Sequence, residues 1–214
     1  ADMATDGTPT PLPCSEIETA CHSFDAAQCI GSGGTATVYL AKAPERQLAV
    51  KLLKSGGDHQ RNLARKEIAL LAMCHHPHIQ QCFGFCLEPK LCVVYPAICG
   101  GTVRDRIITS ARGEQLLDNA PLVERTRSRL ERVGIPQPSP PLAWHRRLCI
   151  VRDVASALLY LHAPDTASGK PSIFHSDLTS DNVLVTVDGR AIIHDMGYSR
   201  VYVKPSTGDA DVKS

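Results

Sequence analysis

Hydrophobic positions follow different patterns before and after Gly100 and Gly101. Before them, short alternating stretches are separated by glycine and polar turns, which is typical of an antiparallel meander. The predicted strands are residues 29–30, 37–41, 48–53, 80–86 and 91–95. Between the third and the fourth strand, apolar positions recur at helical spacing, which predicts a helix over residues 62–74. One face of this helix carries Leu63, Glu67, Leu70 and Leu71.

After the glycine pair, the pattern becomes mainly helical. A short helix is predicted over residues 102–110 and a long one over residues 144–162. The apolar positions of the long helix are Leu148, Val151, Ala155 and Leu158. Residues 183–185 and 191–193 flank the turn pair Asp188-Gly189 and predict a hairpin. Together these elements predict an α+β fold.

Two segments lack a core pattern. Residues 1 to about 20 are rich in Thr, Pro, Ala and Asp without periodicity, which predicts a linker or a fraying terminus, with the boundary placed at residue 23. Residues 111–141 combine a charged stretch with a proline-rich run that excludes regular structure. We interpret this second segment as a surface insertion.

Composition and charge narrow the class of protein. The 214 residues include 23 basic and 22 acidic side chains, so the net charge of +1 favours neither nucleic acid nor an anionic membrane as a partner. No apolar run approaches the ~18 residues of a membrane span, and no signal peptide is visible. The nine cysteines contain no Cys-x-x-Cys pair, which favours a reducing, cytoplasmic setting. A secretory compartment with disulfides is the alternative.

A glycine-rich loop precedes two charges in unusual positions. The sequence Gly31-Ser-Gly-Gly-Thr-Ala-Thr-Val38 fits Gly-x-Gly-x-x-Gly-x-Val except at Ala36, and such a loop lets backbone amides approach phosphate. A simple hairpin turn is the alternative. Lys51 follows a stretch of alternating apolar residues that should be buried, where an ammonium group needs an anion as its partner. Glu67 lies on the apolar face of its predicted helix. An ion pair would explain both residues, whereas exposure of both is the competing interpretation.

Two further motifs carry acidic and amide side chains. His175-Ser-Asp-Leu-Thr-Ser-Asp-Asn182 and His194-Asp-Met-Gly197 fit the template His-x-Asp-Leu-x-x-x-Asn, then Asp-x-Gly. In phosphoryl transfer, Asp177 would orient the attacking hydroxyl and accept its proton. Asn182 and Asp195 would hold Mg²⁺, which prefers oxygen ligands.

Because it contains these motifs, the segment from about residue 24 to residue 203 resembles the eukaryotic protein kinase domain and its fold. The segments 93–107, 142–147 and 160–162 are most similar to the tyrosine-kinase-like group, which includes receptor-like and interleukin-receptor-associated kinases. The resemblance implies a smaller lobe and hinge over residues 24–98, with an antiparallel sheet and one helix. It implies a mainly helical, incomplete larger lobe over residues 99–214, because no Ala-Pro-Glu segment follows the Asp-x-Gly motif.

The resemblance also implies an activity and its ligands. The expected function is transfer of the ATP γ-phosphate to Ser or Thr hydroxyls of a protein substrate, with Mg²⁺. Two alternatives are a pseudokinase that binds nucleotide or acts as a scaffold, and a secretory-pathway kinase. Tyr95 would be the gatekeeper of a hinge in which adenine bonds the Pro96 carbonyl and the Ile98 amide. The implied nucleotide-binding residues are Ile30, Gly31, Gly33, Val38, Ala49, Lys51, Tyr95, Pro96, Ile98, Leu184 and Asp195.

Besides Ala36, three positions depart from the family pattern. Ser176 replaces an arginine that binds an activation-loop phosphate, so we expect activity without that phosphate switch. Thr179 replaces a lysine that commonly contacts the transferred phosphate, which removes a cation from the transition state. Met196 replaces a phenylalanine and should pack acceptably.

Overall fold

The computed structural model describes residues 8–44, 46–54, 57–117, 119–137 and 140–202. The strands in this part of the chain are β1 (Thr10–Pro11), β2 (Cys29–Ser32), β3 (Ala36–Ala43), β4 (Arg46–Leu53), β5 (Gly84–Cys86), β6 (Cys92–Pro96), β7 (Ser172–Phe174), β8 (Val183–Val185), β9 (Ala191–Ile193) and β10 (Arg200–Tyr202). The α-helices are α1 (Cys14–Ala20), α2 (Asp58–Ala72), α3 (Val103–Ile108), α4 (Ala111–Leu116), α5 (Ala120–Arg132) and α6 (Trp144–His162).

The predicted meander forms most of a six-stranded sheet in the order β1-β5-β6-β4-β3-β2. Its pairs are antiparallel except β1 with β5. In the centre, Lys51 of β4 lies opposite Val38 of β3 and Val93 of β6. The two-lobed α+β class predicted from the sequence is confirmed, with this sheet and α2 forming the smaller lobe.

Helix α2 packs one face against this sheet. It begins at Asp58 and ends at Ala72, so it starts one turn earlier and ends two residues sooner than predicted. Its buried positions are Ala64, Glu67, Leu70 and Leu71. The last two join a core that includes Val93 and Tyr95. A glutamate on this buried face therefore needs a polar partner.

The predicted strand over residues 80–86 is shorter than expected. Only Gly84–Cys86 pairs with β6, whereas the Gln80 main-chain N–H donates to the Ile193 carbonyl of β9 at 2.8 Å. Residues before β5 thus connect the sheet to the larger lobe. Cys82 and Cys86 are both buried, as expected for small apolar side chains.

The N-terminal prediction of a linker is wrong for residues 8–23, while residues 1–7 lie outside the described part. Strand β1 extends the sheet beside β5, and α1 buries Ile17. Ile17 and Cys21 pack against Val50 and Val94, on the sheet face opposite α2. Because that face is apolar, it needs a cover, and this segment supplies it.

The interpretation of residues 111–141 as a surface insertion without core is also wrong. The segment contains α4 and α5, and α5 buries Val123, Thr126 and Leu130. Helix α5 begins at an Asn119 cap that accepts from the Leu122 N–H, and it packs against α3 and β2. Part of the proline-rich run falls on residues 138–139, which lie outside the description.

Helix α6 has the bounds predicted from the sequence but buries a different face. Ile150, Asp153, Ala157 and Leu161 are buried, with β7 and β9 against the helix. Of the predicted face, Leu148 and Val151 are exposed. Among the described residues, Val151, Ala155 and Leu158 of this face line an open groove with Leu178 and Val183. No described helix is long and apolar enough to cross a bilayer.

The predicted hairpin over residues 183–193 is present. Strands β8 and β9 pair antiparallel, and Gly189 at the turn has a φ of +82°, which glycine adopts without strain. Gly100 packs against the Val185 carbonyl so closely that a Cβ atom would lie 1.8 Å from it. This contact places the segment after β6 directly against the hairpin.

Candidate active site

A cleft of about 330 Å³ lies between the sheet and the helical part of the chain. All eleven nucleotide-binding residues expected from the resemblance line it, as do Glu67 and Asn182. Strands β2 to β4 provide its roof, β6 its inner edge, and Leu184 its floor. Asp177 is not among the lining residues but contacts Asn182.

Lys51 connects the two halves of this cleft. Its Nζ donates to Glu67 Oε2 of α2 at 2.9 Å and to Asp195 Oδ1 at 2.8 Å. The ion pair predicted between Lys51 and Glu67 is therefore present, and the carboxylate of Asp195 is a second partner of Lys51. A lysine held between two acids has a fixed position and can present its remaining proton to an anion in the cleft.

The charges of Lys51, Glu67 and Asp195 stabilise one another. Burial alone would lower the pKa of Lys51, but the carboxylates of Glu67 and Asp195 outweigh it and raise that pKa. Burial alone would raise the pKa of Asp195, but Lys51 lowers it below its ordinary value. Lys51 is therefore an ammonium and Asp195 a carboxylate throughout the neutral range.

Tyr95 supplies the other partner of Glu67. Its hydroxyl donates to Glu67 Oε1 at 2.7 Å, so both carboxylate oxygens are occupied. Burial, followed by the charge of Glu67, raises the pKa of Tyr95 well above its usual range. The phenol is thus a permanent donor that holds α2 against the sheet.

Asp177 and Asn182 are joined within the loop before β8. Asn182 Nδ2 donates to the Asp177 carbonyl at 2.8 Å and to Asp177 Oδ2 at 3.0 Å. The loop is anchored by His175, whose Nε2 lies 2.9 Å from the His194 carbonyl. Ser176 and Asp195 both have positive φ values, of 64° and 63°, in the left-handed region that non-glycine residues adopt uncommonly.

The side chains present fit a magnesium ion. The Asn182 nitrogen is committed to Asp177, so its oxygen is the atom left to act as a ligand. Asp195 has a second carboxylate oxygen besides the one that binds Lys51. An amide and a carboxylate oxygen in one cleft are ligands that Mg²⁺ accepts, with phosphate oxygens and water completing the shell.

Sequence reasoning missed several residues of the cleft wall. These are Ser32, Gln80, Gly101, Thr102, Asp105, Arg129, Leu130, Val133, Asp181 and His194. Gln80 gave no signal in the sequence, because it stands beside Gln81 and close to His78 in a polar segment. Its side chain is buried, and its Nε2 donates to the Pro96 carbonyl at 2.9 Å.

Helix α5 of the insertion closes one side of the cleft. Leu130 is buried beside Gly101, and Arg129 forms an ion pair with the buried carboxylate of Asp105. Arg132 Nη1 donates to the Cys29 carbonyl of β2 at 2.5 Å. The insertion therefore contacts both the glycine-rich strand above the cleft and α3 beside it.

Comparison with known proteins gives the same family as the motifs. The family described as protein tyrosine and serine/threonine kinase matches residues 24–213. The chain belongs to this family. The kinase-like chain is 29% identical over 205 residues to leaf rust 10 disease-resistance locus receptor-like protein kinase-like 1.5 of Arabidopsis thaliana, covering 90% of this chain and 27% of that protein.

Two further relatives from Arabidopsis thaliana are similarly distant. Wall-associated receptor kinase-like 21 is 30% identical over 87% of this chain and 25% of its own length. U-box domain-containing protein 51 is 32% identical over 87% of this chain and 20% of its own length. The chain spans about a quarter or less of the length of these relatives.

The structure shows what surrounds the three residues that depart from the kinase pattern. Met196 is fully buried in the core beside α2, so the prediction that it packs in place of phenylalanine is confirmed. Ser176 Oγ donates to the nearby Phe174 carbonyl. Thr179 is exposed at the edge of the apolar groove beside α6.

Proposed function

We propose that this kinase-family chain binds ATP and transfers its γ-phosphate to Ser or Thr hydroxyls of a protein substrate. The observation that carries the proposal is the bonding of Lys51 to both Glu67 and Asp195. Protein kinases need this lysine–glutamate pair and the Asp-x-Gly aspartate in place together. The printed names of receptor-like kinases among the relatives support the same class.

Each side chain has a separate part in the proposed mechanism. The hinge at Pro96 and Ile98 binds the base, and Lys51 binds the phosphates through the proton that its two carboxylates leave available. Asp177 orients the substrate hydroxyl and accepts its proton. Mg²⁺, held by Asn182 and Asp195, would neutralise charge on the phosphates.

The test is a transfer assay with a matched control. The full protein is incubated with labelled ATP, Mg²⁺ and a generic protein substrate, alongside Asp177→Asn and Asp165→Asn. Asp165 lies in an exposed turn where it accepts from Ser168, so its substitution should leave transfer unchanged. Loss of transfer in Asp177→Asn alone is expected, and wild-type transfer no higher than in Asp177→Asn would contradict the proposal.

A pseudokinase is the second candidate, favoured by Ser176 and Thr179. Thr179 provides no cation for the transferred phosphate, which bears on rate more than on nucleotide binding. Thermal unfolding with ATP, with and without Mg²⁺, separates the two functions when it is paired with the transfer assay. Stabilisation by ATP without turnover favours the pseudokinase, and absence of stabilisation favours a structural module.

We propose a cytoplasmic location for this part of the protein. All nine cysteines are free thiols, and burial raises the pKa of Cys21 and Cys74 to about 11. Buried protonated thiols are stable in a reducing compartment. Counting free thiols on protein from its native source tests this, and any native disulfide would favour the secretory alternative.

A further inference from the structure

The end of helix α5 forms one side of the candidate cleft. Arg129, Leu130 and Val133, the residue that caps the helix, all line the cleft. Val133 is partly buried, so some of its surface is open to a ligand. A segment outside the expected nucleotide-binding residues therefore takes part in shaping the space in which a nucleotide would lie.

This side wall is held in place from above and from below. Above the cleft, Arg132 Nη1 donates to the Cys29 carbonyl of β2 at 2.5 Å. Below it, Leu130 packs on Gly101 so closely that a Cβ atom on the glycine would lie 2.4 Å from Leu130 Cδ2. The ion pair between α5 and α3 adds a third contact. The wall cannot move outwards without losing these contacts, because packed interiors yield little.

The wall lies beside the middle of the proposed nucleotide site. The hinge at Pro96 and Ile98 takes the base at one end, and Lys51 takes the phosphates at the other. The ribose joins the two and lies between them. Strands form the roof and the inner edge, and Leu184 forms the floor, so the side formed by α3 and α5 borders the ribose. The 2′- and 3′-hydroxyls carry neither base nor phosphate, so they face this side.

The size of the cleft leaves little space beside the ribose. Its volume of about 330 Å³ is at the lower end of the ~300–1,000 Å³ that ligand pockets usually have. A group attached to a ribose hydroxyl would be pressed against Val133, and extra atoms forced against a fixed wall weaken binding.

We propose that Val133, at the end of α5, makes the cleft selective against nucleotides that are substituted on the ribose hydroxyls. The inference rests on the proposed function and deepens it, because it assigns the segment 111–141 a part in choosing the nucleotide. ATP with free hydroxyls fits between Val133 and the opposite edge of the cleft. A derivative with a bulky ester at the 2′- or 3′-position does not.

Binding of two nucleotides to the full protein tests this selectivity. Calorimetry gives the affinity for ATP and for ATP that carries an N-methylanthraniloyl group on a ribose hydroxyl. We expect the wild type to bind the derivative at least about tenfold more weakly than ATP. Val133→Ala removes two methyl groups from the wall and should reduce that ratio by about threefold or more.

The controls separate the shape of the wall from folding. Val133→Thr keeps the volume of the side chain and should keep the wild-type ratio. Val187→Ala should keep it too, because Val187 is 84% exposed and lies outside the cleft. If Val133→Ala does not fold, 3′-O-methyl-ATP decides on the wild type, with an affinity expected between those of ATP and the larger derivative.

Two results would overturn the inference while the proposed function stands. One is a wild type that binds ATP and both derivatives equally well, since the ribose side would then be open. The other is a ratio that Val133→Ala leaves unchanged, since the rejection would then come from another part of the cleft. A wild type that binds no nucleotide contradicts the proposed function, and the inference with it.

Discussion

At the scale of single residues, the candidate site depends on groups that satisfy one another. Glu67 would be an uncompensated charge without Lys51, and its second oxygen would be orphaned without Tyr95. Lys51 in turn requires Glu67 and Asp195. Removing Lys51, Glu67 or Tyr95 leaves a buried polar atom of a neighbour unpaired, which costs more than the lost bond alone.

Tyr95→Phe should expose this dependence. The substitution keeps the ring but leaves Glu67 Oε1 without its donor, so we expect the free energy of unfolding to fall by about 1–3 kcal/mol. Urea unfolding measures it. Tyr198→Phe is the matched control, because Tyr198 is 50% exposed and should change stability little. Equal stability of the two variants would show that the Tyr95 hydrogen bond contributes nothing.

Residue chemistry also explains which contacts could be predicted. Lys51 and Glu67 were paired from the sequence because each charge stood on an apolar face. Arg129 and Asp105 were not paired, since a helix rich in arginine and glutamate is usually a solvated one. No pattern links positions 24 apart in two amphipathic helices, so this ion pair required the tertiary structure.

At the scale of elements, period-2 patterns located the long strands β3 and β4, whereas the strand predicted over residues 80–86 forms only at Gly84–Cys86. Strands β3 and β4 pair antiparallel along eight residues, which is longer than the predicted stretches 37–41 and 48–53. Helix α1 is short and has a single buried residue, Ile17, too few for a periodic signal. Helix α6 was located correctly but assigned the wrong face, because its sequence is apolar on more than one side.

Helix α5, in the segment 111–141, allows a direct test of packing at this scale. Leu130 is 1% exposed and lines the cleft, so Leu130→Ala should cost about 2–5 kcal/mol of unfolding free energy. We also expect weaker ATP binding, because α5 is a wall of the cleft. Leu116→Ala is the control, with a side chain that is 75% exposed. Unchanged Tm and ATP affinity in Leu130→Ala would mean that α5 does not pack as described.

At the scale of the whole molecule, one buried carboxylate connects three parts of the chain. Asp153 of α6 accepts from the Arg190 guanidinium at 2.7 Å and from the Ala191 N–H of β9 at 3.2 Å. His78, in the segment that leads to β5, contacts the same groups through Arg190 and the Ala191 carbonyl. The hairpin that precedes the Asp-x-Gly motif is thereby fixed to the long helix.

This network predicts how stability depends on acid. Burial alone would raise the pKa of Asp153, but hydrogen bonds from Arg190, the Ala191 N–H and Arg152 outweigh it and lower the pKa to about 2 from 3.8. The contribution of this carboxylate is therefore complete above pH ~4 and is lost as pH falls towards 2, where the proton returns.

Urea unfolding of wild type and Asp153→Asn between pH 6 and pH 2.5 measures that contribution. The difference in unfolding free energy should be constant from pH 6 to ~4.5 and then shrink by on the order of 2 kcal/mol as the limit near pH 2 is approached. The neutral amide cannot titrate, so only the wild-type curve falls for this reason. Parallel curves over the whole range would show that Asp153 has an ordinary pKa, and that its ion pair does not join the hairpin to α6.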